Sequence, residues 1–446
     1  MMLPPAVPRK FAVCLALRKS VGSTAVVQFT VIGLACLLVL SACKSTATVE
    51  MMDGVEAAGE TVQDIDADTS EPPPLVEASP PAPDGTARFV VEGELPLTTE
   101  EVNALISFVE EDTGRPFLRP PVIVAQSGDV FTEALADELG DFQAESDISV
   151  RSLQALGLTD RGVAEVSQAF QDLLLSPEGV LGYYDPETDE LYVPVETDGG
   201  DELRSLLVHE LTHALDGQYT DLTVLDALVE AGDETGNYEP VFGLQAVAEG
   251  RATSVQNRWM NENRVAQELP DDLGALENVP PALVLGLSVP YAFGEQYIER
   301  QGGAAATWDL FDTPPVSSEI FMVPFGDASD EPIIDVPTPT ADGPILDSAV
   351  YGAADILTWL LGESLEPDPS TVFPTIIAID GWAGGRYVLW GDESESCMRI
   401  AIAADTANDL TEIEEAIMLW AAGGQDRTVA VDDDLVVVTG CAPYVP

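Results

Sequence analysis

A chain of 446 residues, 46% of them hydrophobic, has room for more than one domain and is too apolar to be disordered throughout. Its 18 basic residues stand against 78 acidic ones, a formal net charge of -60, which excludes nucleic acid as a natural partner because phosphate binding draws on Lys and Arg surfaces. All three lysines, Lys10, Lys19 and Lys44, lie in the first 44 residues, and self-repulsion among so many carboxylates points to a salt-adapted (halophilic) host, where molar salt cuts the Debye length to about 3 Å.

Residues 1–24 carry Arg9, Lys10, Arg18 and Lys19 and no acid, and residues 25–40 form a mostly apolar run. That layout is an export signal, and the run is short against the roughly 20 residues that span a bilayer. It closes on Leu40-Ser41-Ala42-Cys43, which resembles the bacterial lipoprotein signal box. The resemblance implies a signal peptide over 1–43, a lipidated Cys43, and a mature protein anchored to the cell membrane on its extracytoplasmic side. Residues 44–85 are rich in Thr, Glu, Asp, Ala and Pro. Such a composition buries no core, so the segment is expected to be a disordered stalk.

Globular composition begins near residue 86. Residues 121–124 read as a strand, and 131–139 and 163–175 as helices. Residues 183–194 read as two strands about an Asp185-Pro186 turn. The helix that carries residues 208–216 follows, then helical stretches near 241–261 and 281–300, and the Pro- and acid-rich residues 327–343 read as a surface connection. Beyond it, strands at 386–390 and 434–438 and a helix at 410–420 indicate a smaller module. The expected fold class is α+β, with domains over 86–326 and 344–446. Of the five cysteines only Cys397 and Cys441 fall in this folded part. Outside the cytoplasm they are expected to pair, and closing their 44-residue loop is worth about 4 kcal/mol.

Only two histidines occur, and both stand in Val208-His209-Glu210-Leu211-Thr212-His213. At i and i+4 on a helix their imidazoles lie one above the other and can reach one ion, while Leu203, Leu207, Leu211 and Ala214 or Leu215 form the stripe that seats the helix. A catalytic zinc keeps three protein ligands and an open place. With no third His, a carboxylate must serve. Glu249, 36 positions past His213 in a helical stretch with Gly250 and Ala252, is the best placed, with Glu230, Asp233 and Glu234 as competitors.

This pattern resembles the gluzincin metallopeptidases, in which two His of one helix and a Glu of a following helix bind zinc. The resemblance implies a zincin-like core with its metal helix beside a β-hairpin. His209, His213 and Glu249 would then be ligands of Zn2+ and Glu210 the general base that activates water for peptide-bond hydrolysis. Residues 183–193, 209–218, 249–252, 290–294 and 314–319 are also similar to a group of zincin-like surface proteins of bacteria and archaea.

Further expectations attach to single residues. Asp216 would hydrogen-bond a ligand histidine from behind. Tyr291, Tyr297, Arg251 and Arg386 are candidates to steady the oxyanion. If residues 191–195 form the sheet edge at the cleft, a peptide or protein substrate would add there as a strand. A protein that holds zinc without catalysis and acts in surface binding or adhesion is the alternative.

Overall fold

The computed structural model describes residues 28–31 and 86–446, apart from 140–141, 177–179, 196–199, 266–275, 277, 323–331, 366–368 and 425. The expected lipidation site Cys43, the stalk, and all of the signal except 28–31 lie outside the described residues, as does the first part of the 327–343 connection.

The fold is α+β, built on two five-stranded sheets. In chain order come β1 (Gln28–Val31), β2 (Val90–Glu92), α1 (Thr99–Thr113), β3 (Val122–Gln126), α2 (Gly128–Leu139), α3 (Phe142–Leu156), α4 (Val163–Leu174), β4 (Val180–Asp185) and β5 (Glu190–Pro194). Helix α1 opens on a reciprocal capping box between Thr98 and Glu101 and closes on Gly114 at φ 71°, a left-handed position that glycine fills without strain. The first sheet has the order β1-β4-β5-β3-β2, with β2, β3 and β5 parallel and β4 antiparallel to β5. A parallel neighbour needs a crossover, and α2 to α4 provide it between β3 and the β4–β5 hairpin.

The expectation of a sheet edge at residues 191–195 is corrected here. Strand β5 is internal, flanked by β4 on one side and by β3 on the other, where Ile123 pairs with Leu191. The hairpin is visible in local sequence, whereas the parallel partner comes from a segment some seventy residues earlier. Beyond β5, β4 carries β1 in antiparallel register, with Phe29 opposite Tyr183. Those four residues belong to the run read as the export signal.

The chain continues through α5 (Asp201–Tyr219), α6 (Val224–Thr235), α7 (Glu239–Asn263), α8 (Pro281–Arg300), two short 3-10 turns at 304–306 and 308–311, and α9 (Glu319–Met322). It then forms β6 (Ile345–Val350), α10 (Ala353–Leu361), α11 (Pro369–Asp380), β7 (Trp382–Gly391), β8 (Glu395–Ala404), α12 (Ala407–Ala421), β9 (Arg427–Asp432) and β10 (Leu435–Pro443). The second sheet, β6-β7-β8-β10-β9, is antiparallel throughout, and Cys397 and Cys441, opposite one another on β8 and β10, form a disulfide.

Helix α5 is buried on nearly every side, from Leu203 to Gln218. Alternation of apolar and polar faces therefore gives way to a helix enclosed by α1, α7 and the first sheet. Helices α7 and α8 cross so closely that a Cβ on Gly250 would fall 2.3 Å from Gly294 C, and one on Gly294 would fall 2.2 Å from Ala246 O. The largest hydrophobic core runs from α1 residues such as Val102 to β10 residues such as Val438, joining the two sheets. Among the described residues no helix is long and apolar enough to cross a membrane.

Candidate metal centre

Two helices bring three donor atoms together. His209 and His213 project from one face of α5, and Glu249 meets them from α7. The two imidazole Nε2 atoms are 3.1 Å apart, and Glu249 Oε2 lies 3.2 Å from His209 Nε2 and 3.3 Å from His213 Nε2. Metal–ligand distances of about 2.0–2.1 Å in a tetrahedral zinc site imply ligand–ligand edges of about 3.3 Å. The triangle has those edges.

All three side chains are buried, as is Glu210. Burial alone would push the Glu249 carboxyl up, but His213 and His209 together outweigh it and hold the group below its usual value. Glu249 Oε1 and His213 Nδ1 have no hydrogen-bond partner among the described residues. A buried donor set of two imidazoles and a carboxylate, with an orphaned carboxylate oxygen, suits a divalent ion such as zinc. Among the described residues one other cluster has metal-ligand elements, Glu395, Cys397 and Cys441, and its sulfurs are bonded to each other.

Glu249 is thus the acid that joins the histidines, and Glu230, Asp233 and Glu234 stay exposed on α6. Behind His209, Gln256 Oε1 lies 3.3 Å from Nδ1. It sits seven residues past Glu249 on the same face of α7, a spacing that could have flagged it in the sequence.

Two expectations are corrected. Asp216 does not bond a ligand histidine. Its two oxygens accept from Arg251 Nε at 3.0 Å and Nη2 at 2.9 Å, a buried bidentate pair. Arg251 is therefore no oxyanion donor: its Nη1 also donates to the Ala304 carbonyl and, at 2.8 Å, to Thr307 Oγ1. The guanidinium lies over the Trp308 ring, 4.2 Å from its centroid. Helical periodicity set Asp216 beneath His213 but carried no information about what approaches from α7.

Tyr291 is buried on α8 with its ring 6.1 Å from the His209 ring. Tyr297 packs against Phe321 instead, at 4.7 Å, and Arg386 belongs to β7 of the second sheet. Searches of family models, curated proteins and solved structures returned no match for this chain.

Proposed function

We propose that the chain is a zinc-dependent peptide hydrolase of gluzincin type, with a zincin-like core formed by the first sheet and α5 to α8. The observation that carries this reading is the His209–His213–Glu249 triangle with Glu210 next to its first member. Zinc bound there would lower the pKa of a bound water toward about 7 and polarise the scissile carbonyl.

The protein's own residues do the rest. Glu210 accepts the proton of the attacking water and delivers it to the leaving amine. Gln256 fixes the ring of His209, and Tyr291, beside that ring, donates to the oxyanion. Strand β4 is the antiparallel edge on which a peptide could align once residues 28–31 are removed with the signal. The same reading places the enzyme outside the cytoplasm on a lipidated Cys43, and the Cys397–Cys441 disulfide agrees with an oxidising compartment. An unmodified Cys43 in the mass spectrum of the mature protein removes the anchor.

Full burial of His209, Glu210, His213 and Glu249 favours the second reading, a closed zinc site that stabilises a surface binding protein. Zinc content and peptide or casein cleavage, measured on the wild type and Glu210→Gln, separate the two. Loss of about 10²–10⁴-fold in cleavage with zinc retained supports the hydrolase. Zinc bound in both proteins with no cleavage by the wild type supports the structural site.

A further inference from the structure

Beside the second sheet lies a cavity of about 240 Å³. Helices α3, α7, α8 and α10 wall it together with β6, β7 and β8. An apolar cavity of roughly 150 Å³ is enough to hold a benzene ring, so this one has room for an aromatic ring with a short side arm. It shares no lining residue with the histidine–glutamate triangle.

Its lining is mostly apolar, with Phe242, Leu283, Val289 and Trp359 prominent, but two carboxyls, Glu239 and Asp355, also face it. Both converge on Gly352. Asp355 Oδ2 accepts from the Gly352 N–H at 2.9 Å, and a Cβ on Gly352 would fall 1.9 Å from Glu239 Oε1. Glu239 is buried and held by the Ser318 N–H at 2.6 Å and the Ser318 hydroxyl at 3.0 Å. Asp355 keeps an exposed side chain and also lines the cavity. Among the described residues no Lys, Arg or His lines the walls.

Charges taken into an apolar setting need partners. Burial pushes Glu239 up to about 7, the mark of a buried carboxyl short of a cation. The rings of Tyr351 and Tyr387, 5.9 Å apart edge to face, also line the cavity. Apolar pockets with a few converging polar groups of shifted pKa are the usual form of small-molecule sites.

We propose that this cavity is a second binding site, which takes a small molecule with an apolar body and a protonated amine, the amine seated against Asp355 with Glu239 behind it. The site stands independently of the metal. Along α7, Glu239 precedes Glu249 by ten residues, about 15 Å of helix, which separates an amine held there from chemistry at the triangle.

Calorimetric titration of the full chain in 1 M sodium chloride, which screens the acidic surface, tests the proposal with three probes: 2-phenylethylamine, 2-phenylethanol and 3-phenylpropionate. The expected result is saturable one-site binding of the amine, at least tenfold tighter than the alcohol, with no binding of the carboxylate. Asp355→Asn, which can still accept from Gly352 N–H, should bring the amine down to the level of the alcohol. Gly286→Leu, which fills the cavity from α8, should abolish both. The proposal fails if the wild type binds the amine no better than the alcohol, or if folded Asp355→Asn keeps full amine affinity. Should Asp355→Asn not fold, amine binding that survives in Gly286→Leu overturns it.

Discussion

At the scale of single residues, the atoms that would face a metal are His209 Nε2, His213 Nε2 and Glu249 Oε2. His209 has Gln256 behind it, whereas Glu249 Oε1 and His213 Nδ1 have no partner among the described residues. The two histidines and the adjoining acid were legible because helical spacing alone sets i and i+4 on one face. Glu249 was legible by scarcity, since a chain with two histidines must complete a ligand set with an acid. Asp216 was misread because its true partner, Arg251, arrives from another helix. Tyr291 is the residue whose role is open to a kinetic test. If it donates to the oxyanion, Tyr291→Phe keeps zinc and KM but loses about 10²-fold in kcat. An unchanged kcat would leave it as a packing residue against His209.

Elements of secondary structure were legible where their signals are local. The periodic runs at 163–175 and 281–300 and the hairpin at 183–194 correspond to α4, α8, and β4 with β5. Helix α1 was overlooked although Thr98 and Glu101 spell a capping box. The parallel β3–β5 pairing was out of reach, because nothing local marks a partner beyond three intervening helices. How α5 and α7 hold together was equally hidden, and the Asp216–Arg251 pair is the clamp between them. Breaking a buried pair leaves an uncompensated charge and costs about 3–5 kcal/mol. Asp216→Asn should therefore lower the denaturation midpoint by that order in folding free energy, while the protein that remains folded binds zinc as before. Loss of zinc affinity without loss of stability would return Asp216 to the metal.

For the molecule as a whole, the two sheets share one core, yet the surface carries far more acid than base. Every cation of the folded part other than histidine is an arginine, several of them committed to ion pairs such as Arg88–Glu110 and Arg119–Asp189. The remaining carboxylates repel one another over distances that molar salt screens. Melting temperature should accordingly rise between low salt and 1 M sodium chloride, and a flat curve would remove the salt-adapted reading. The class, α+β, was legible from the mixture of periods, but the packing of the second sheet against α3 was not, because only tertiary contacts define it.

Metal content decides whether the triangle between α5 and α7 is what its geometry suggests. Folded protein dialysed against zinc should retain about one ion per chain, and His213→Ala and Glu249→Ala should each lose it while staying folded. Wild-type protein that is folded and retains none would contradict the metal centre and, with it, the hydrolase.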